Sequence, residues 1–189
     1  MTTRTGILLL IVMVLPVAAF HPQTGSAKPD DFQATTVFLI RHAEKADAPK
    51  QDPPLSEAGK VRASELTRML GGAGIKAIYS SPYKRATETA GPLATLLGIQ
   101  TTVLPIEMST ANPQMVSPQS IQAIIDRIHS RSGEAALVIG HSNTIPEVIK
   151  MLGGDVVPTI DEQKFDDLFV VTVYEKGKAK VAQLKYGAK

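Results

Sequence analysis

The sequence predicts an α/β fold in three layers: a mostly parallel central sheet, helices on both of its faces, and an antiparallel hairpin at the C-terminal end. Three observations lead there. Unbroken apolar runs such as Val37-Phe38-Leu39-Ile40 and Ala135-Ala136-Leu137-Val138-Ile139 suit strands covered on both faces. Helical patterns alternate with these runs, most clearly the stripe of Ile121, Ile124, Ile125 and Ile128. Finally, residues 168–174 and 180–186 read as strands joined at Glu175-Lys176-Gly177-Lys178, the spacing of a hairpin.

Taken in order, a first strand at 35–40 ends abruptly at Arg41 and His42, and three prolines make 46–54 a loop. Ser56 suits the N-cap of a helix running to about residue 70, on which Leu66, Met69 and Leu70 share a face and which Gly71-Gly72 closes. A second strand at 75–79 leads into Ser80-Ser81-Pro82-Tyr83-Lys84-Arg85. The helix that follows runs to about residue 97, with Gly91-Pro92 expected to kink or split it. Residues 101–104 form a short third strand. The segment 105–118 is irregular, and its conformation is not readable from its residues. Ser117 and Pro118 open the next helix as N-cap and first helical residue. The strand at 135–139 then ends in Gly140-His141-Ser142-Asn143, and a short helix follows Pro146.

The first 27 residues stand apart. Arg4 is their only charged residue, and from Gly6 to Phe20 the chain is almost wholly apolar. This is the pattern of a secretory signal peptide, with an uncleaved N-terminal anchor as the alternative. Residues 28–34 read as a linker and 35–189 as one domain, so the expected location is periplasmic or secreted. The chain carries 20 Lys+Arg against 18 Asp+Glu, and losing the leader removes Arg4 alone. A nearly neutral domain of this kind gives no reason to expect nucleic acid as a partner, nor a membrane beyond the leader. The chain has no Cys, which excludes disulfides, thiolate-bound metal and thiol nucleophiles. The oligomeric state is not encoded in any pattern we recognise.

In a parallel sheet the carboxyl ends of the strands open onto one edge, where α/β proteins bind their ligands. Arg41 and His42 from the first strand, Arg85 after the second and His141 after the later one therefore converge. Two Arg can grip a phosphate or carboxylate through forked, charge-assisted hydrogen bonds, and a helix N-terminus near Arg85 adds anion affinity. Crowding these groups together suits a ligand that brings negative charge. No metal-ligand spacing competes, and no cofactor motif such as GxxxxGK[ST] is present.

The residues that carry this constellation also resemble a family. Arg41-His42-Ala43-Glu44 is similar to the first signature of the histidine phosphatase superfamily, the phosphoglycerate mutase-like proteins. Ser80 to Ala86 with Thr89-Ala90 resembles the second motif and Gly140-His141-Ser142 the third. The resemblance spans about 35–174 and implies that His42 attacks phosphorus and becomes phosphohistidine, while Arg41, Arg85 and His141 hold the phosphoryl oxygens. Read from its position alone, Asn143 either donates to the phosphate or caps the next helix. Members with Asp directly after the second His use it as proton donor, and here Ser142 stands at that position. Others use a Glu after the third strand, for which Glu107 is the candidate. The expected function is an exported, metal-independent phosphatase acting on phosphomonoesters or phosphohistidine, in small molecules or phosphoproteins. A module that binds phosphate or phosphopeptide without turnover is the alternative.

Overall fold

The computed structural model describes residues 33–187 and Thr2. The expected leader lies outside the described residues. Among those residues no helix is long and apolar enough to cross a membrane.

Ten elements follow in chain order: β1 Thr35–Arg41, α1 Glu57–Leu70, β2 Ile75–Ser80, α2 Lys84–Leu97, β3 Thr102–Val103, α3 Pro118–His129, β4 Ala135–Gly140, α4 Ile145–Met151, β5 Asp167–Glu175 and β6 Lys178–Lys185. They build one six-stranded sheet in the order β3-β2-β4-β1-β5-β6. Strands β1 to β4 are parallel, while β5 runs antiparallel to β1 and β6 antiparallel to β5. The predicted α/β sandwich with a C-terminal hairpin is the observed fold.

Alternation along the strands sorts the core into two layers. Val37 and Leu39 of β1, with Ala136 and Val138 of β4, face the isoleucine stripe of α3 and the buried side of α4. Ile40, Leu137 and Ile139 face the other way, against Leu66 and Leu70 of α1 and Ala86, Ala90 and Leu93 of α2. Gly177 turns the hairpin at φ +76°, a conformation that costs glycine little.

Three local expectations change. Met69 is exposed, because the buried stripe of α1 is Gly59, Ala63, Leu66 and Leu70, and residue 69 lies at its edge. Gly91-Pro92 does not split α2, which is continuous over Lys84–Leu97 with Pro92 inside it. The third strand shrinks to two residues at the sheet edge.

Gly59 positions the site. The Ser56 hydroxyl caps α1 by accepting from Gly59 N and donates to the carbonyl oxygen of Glu44, which also accepts from Ser56 N. A Cβ on Gly59 would run into that same Glu44 carbonyl. Helix propensity alone favours alanine over glycine by about 1 kcal/mol. Gly59→Ala is nevertheless expected to destabilise the protein, by about 1–3 kcal/mol, the usual cost of overpacking. Thermal melts of the two proteins check the sign.

Candidate active site

Register brings the two histidines together. Arg41 pairs with Gly140 as β1 and β4 reach their carboxyl ends, and the next amide, His42 N, donates to Gly140 O at 2.9 Å. His42 and His141 therefore emerge side by side, with ring centroids 5.1 Å apart. β2 lies on the other side of β4, so Ser80-Ser81 and the start of α2 deliver Arg85 to the same edge. Arg41, His42, Arg85, His141 and Asn143 line one cavity of about 220 Å³, with Ile106, Met108 and Val116 as its apolar wall.

The hydrogen bonds define the chemistry of His42. Its Nδ1 lies 2.7 Å from the carbonyl oxygen of Ala43, which can only accept, so Nδ1 carries the proton. Nε2 keeps its lone pair, and Arg85 Nε donates to it at 3.2 Å. Ala43 N donates to Thr89 Oγ1, and Ala43 packs against Leu55 and Ala63, so both neighbouring helices hold the loop. Glu44 closes the arrangement from behind through an ion pair with Arg62 at 2.7 Å. Burial would raise the Glu44 carboxyl, but the Arg62 hydrogen bonds and charge outweigh it and hold the group below the ordinary carboxylate range.

Arg41 is almost fully buried. Its Nη1 donates to the carbonyls of Asp161 and Lys164, and its guanidinium stacks 4.3 Å from the Phe165 ring centroid. Arg85 stacks in the same way on Tyr83 and lies 4.0 Å from Asp52. Ser81 Oγ meets His141 Nε2 at 2.9 Å, and the Tyr83 ring meets His141 edge-on. Two cations and two imidazoles thus share a cavity with little counter-charge, which is the electrostatics of an anion site. Among the described residues no group of three or more His, Cys, Asp or Glu is arranged to hold a metal ion.

Residues 37–109 match the family described as histidine phosphatase superfamily, branch 1. This match and the three-motif resemblance together support membership of that superfamily. No curated sequence relative matches the chain. Among solved structures, the fold is similar to that of the protein histidine phosphatase SixA complexed with tungstate, at TM-score 0.63 and 20% identity, covering 79% of this chain and 96% of that one. It is also similar to phosphoglycerate mutase from Bacillus anthracis, at TM-score 0.62 and 19% identity over 82% of this chain and 94% of that one. A mycobacterial glucosyl-3-phosphoglycerate phosphatase gives TM-score 0.60 and 15% identity over 82% of this chain and all of the other, 100%.

The structure places the two remaining candidate residues, Glu107 and Asn143, differently. Glu107 does not line the cavity. Its neighbours Ile106 and Met108 do, and alternation along the segment turns Glu107 outward, where it is exposed. Its backbone is held away from the site by the start of α3, through bonds with Ser117 N and Ser120 Oγ. Asn143 does line the cavity, but its amide donates to Gln114 O at 3.0 Å and so pins the 105–118 segment beside His141. That segment folds back on itself through the Met108–Val116 bridge and forms the apolar wall. Glu162 and Lys45 also face the cavity. Sequence reading gave no signal for Glu162, whose neighbours match no motif.

The two imidazoles resist protonation. Burial, foremost, and then the charges of Arg41, Arg85 and Lys45 push His42 down to about 4. Burial and then His42, Arg85 and Arg41 push His141 down to about 3. In the unfolded chain both groups titrate near their ordinary value of about 6.5, so below that pH the unfolded state takes up protons that the folded state refuses. Stability is therefore expected to fall as pH drops from about 6.5 toward about 4, and above that window the pair contributes nothing. Unfolded carboxylates start to add to the loss only near their own range, below about 4.3. Melting temperatures across pH 4 to 8 check this, and a profile flat between about 6.5 and 4.5 would contradict the burial of the pair.

Proposed function

We propose that this protein is a metal-independent phosphatase that hydrolyses phosphomonoesters or phosphohistidine through a phosphohistidine intermediate at His42. One observation carries the reading: a neutral imidazole with its proton fixed on Nδ1 presents the Nε2 lone pair to a cavity lined by Arg41, Arg85 and His141. Phosphoryl transfer asks for positioning and charge stabilisation more than for covalent machinery. Arg41 and Arg85 supply fixed positive charge where equatorial oxygens gather negative charge. As the nitrogen–phosphorus bond forms, His42 becomes cationic, and its Nδ1–H bond to the Ala43 carbonyl stabilises that charge.

In the resting protein the Arg85 Nε–H occupies the Nε2 lone pair. Attack requires that donor to leave Nε2, and a phosphoryl group draws it away by offering anionic oxygens. The same side chain thus keeps the nucleophile oriented before binding and grips the substrate afterwards. A site crowded with cations repels a divalent metal, which supports catalysis without one. At about 220 Å³ the cavity suits a phosphoryl group and the near part of its leaving group. It lies below the roughly 300–1,000 Å³ of pockets that enclose a whole drug-sized ligand. The remainder of the substrate projects past Lys45 and the apolar wall, which fits phosphorylated small molecules and phosphoprotein side chains alike. SixA was solved with tungstate, a tetrahedral oxyanion, in keeping with an oxyanion site on this fold. The apolar, almost uncharged first 27 residues support export to the periplasm or cell exterior, as a cleaved signal peptide or an uncleaved anchor.

The test is phosphate release from an aryl phosphate and from phosphohistidine, with excess EDTA present. Turnover is expected to be the same with and without EDTA. Binding of orthovanadate without release of phosphate from any substrate would establish the binding module instead. Loss of turnover on chelation would establish a metal enzyme.

A further inference from the structure

We propose that Glu162 is the proton donor to the leaving group and, in the second half of the reaction, the base that activates water. The inference rests on the phosphatase reading above and supplies the group that neither Ser142 nor Glu107 provides.

Glu162 is the one carboxyl side chain among the residues that line the cavity. Although it lies 20 residues from Ser142 in the chain, Oε1 of its carboxyl accepts from Ser142 Oγ at 3.4 Å, directly beside His141. Its position follows from the phosphate-binding machinery. Residues 161–164 form a tight turn, closed by Lys164 N donating to Asp161 O and Gln163 N to Asp161 Oδ1. Arg41 Nη1 donates to the carbonyls of Asp161 and Lys164, at 3.2 and 3.3 Å, so the guanidinium holds the turn at both ends. Phe165, next along the chain, stacks on Arg41 and lies 6.0 Å from His42, centroid to centroid. The turn that carries Glu162 is therefore registered on the residue that grips the phosphoryl group. Lys45 and Tyr83 also reach the cavity, but ammonium and phenol groups as classes hold their protons too firmly for this task near neutrality.

The steps balance. The Nε2 lone pair of His42 forms the bond to phosphorus while the bond from phosphorus to the leaving oxygen breaks. The Glu162 carboxyl gives its proton to that oxygen, so the product departs as an alcohol and Glu162 remains a carboxylate. Water then attacks phosphorus, Glu162 takes one of its protons, and the nitrogen–phosphorus bond returns its pair to Nε2. Phosphate leaves, with His42 and Glu162 as they began.

The alternative role for Glu162 is that of a counter-charge, since burial lowers the proton affinity of Arg41 and the Glu162 carboxylate offsets part of that. Leaving-group dependence separates the two. Glu162 is exposed, so Glu162→Gln leaves the fold intact. We expect kcat/KM of Glu162→Gln to fall about 10²–10⁴-fold on an alkyl phosphate and no more than about threefold on p-nitrophenyl phosphate, whose leaving group needs no proton. The alkaline limb of the alkyl phosphate pH profile should disappear, and Glu162→Asp should restore part of the rate. Glu107→Gln should match the parent on both substrates. Equal loss on the two substrates, or no loss on either, overturns the inference while the phosphatase reading stands. A parent protein that releases phosphate from neither substrate overturns both.

Discussion

His42→Ala is expected to lower phosphate release by a thousandfold or more on every substrate the parent hydrolyses. Removal of a nucleophile that acts together with its neighbours costs roughly 10³–10⁶ in rate, depending on the residual electrostatic catalysis. The structure gives the reason for the upper part of that range. His42 Nε2 presents a lone pair to the cavity, whereas His141 Nε2 is engaged with Ser81 Oγ. The fold should survive. Ala43, which packs beside the site against Leu55 and Ala63, is untouched, and β1 keeps its pairing with β4. The variant should also lose the His42 share of the acid destabilisation, so its melting temperature should fall less steeply below pH 6.5 than that of the parent. Phosphate release, melting curves and acid-quench trapping of a phosphoenzyme check the result together. A variant that keeps a tenth of the parent rate, or that still traps phosphate on the protein, would remove His42 from the role of nucleophile.

Arg85→Ala is expected to lower kcat about 10²–10³-fold, the usual loss when one fixed donor to transition-state charge is removed. Arg85→Lys should recover little of it. An ammonium is a point charge and cannot both stack on Tyr83 and aim a guanidinium N–H at His42 Nε2. A second effect distinguishes this residue from a merely structural one. Arg85 is among the charges that hold His42 down, so its removal should move the acid limb of the pH–rate profile upward from about 4. The parent should keep its nucleophile neutral, and its activity, well below the ordinary histidine range. A variant whose acid limb stays where the parent's lies, whatever its rate, would show that Arg85 does not act on His42.

The fold and the centre of the site were both legible in the sequence, for a physical reason that applies residue by residue. Val37-Phe38-Leu39-Ile40 can be satisfied only by cover on both faces, and period-3.6 stripes such as that of α3 provide the cover. Once the sheet is parallel, charged and imidazole groups at the ends of β1, β2 and β4 must share one edge. Arg41, His42, Arg85 and His141 follow from that geometry, because each lies within a few residues of its strand.

What only the tertiary structure decided depends on residues far apart in the chain. Glu107 sits beside the right strand in sequence but turns outward, because alternation in the 105–118 segment gives the inward positions to Ile106 and Met108. Glu162 reaches the cavity through bonds from Arg41, about 120 residues away in sequence, to the carbonyls of the turn that carries it. A backbone carbonyl has no residue type, so no sequence pattern records that contact. The same holds for Gly59, whose missing side chain makes room for the Glu44 carbonyl, and for the tautomer of His42, which the Ala43 carbonyl sets. Patterns of side chains thus determined the layers and the four groups that converge on the cavity. The proton on Nδ1 and the carboxyl beside Ser142 were decided by backbone groups whose positions exist only once the chain has folded.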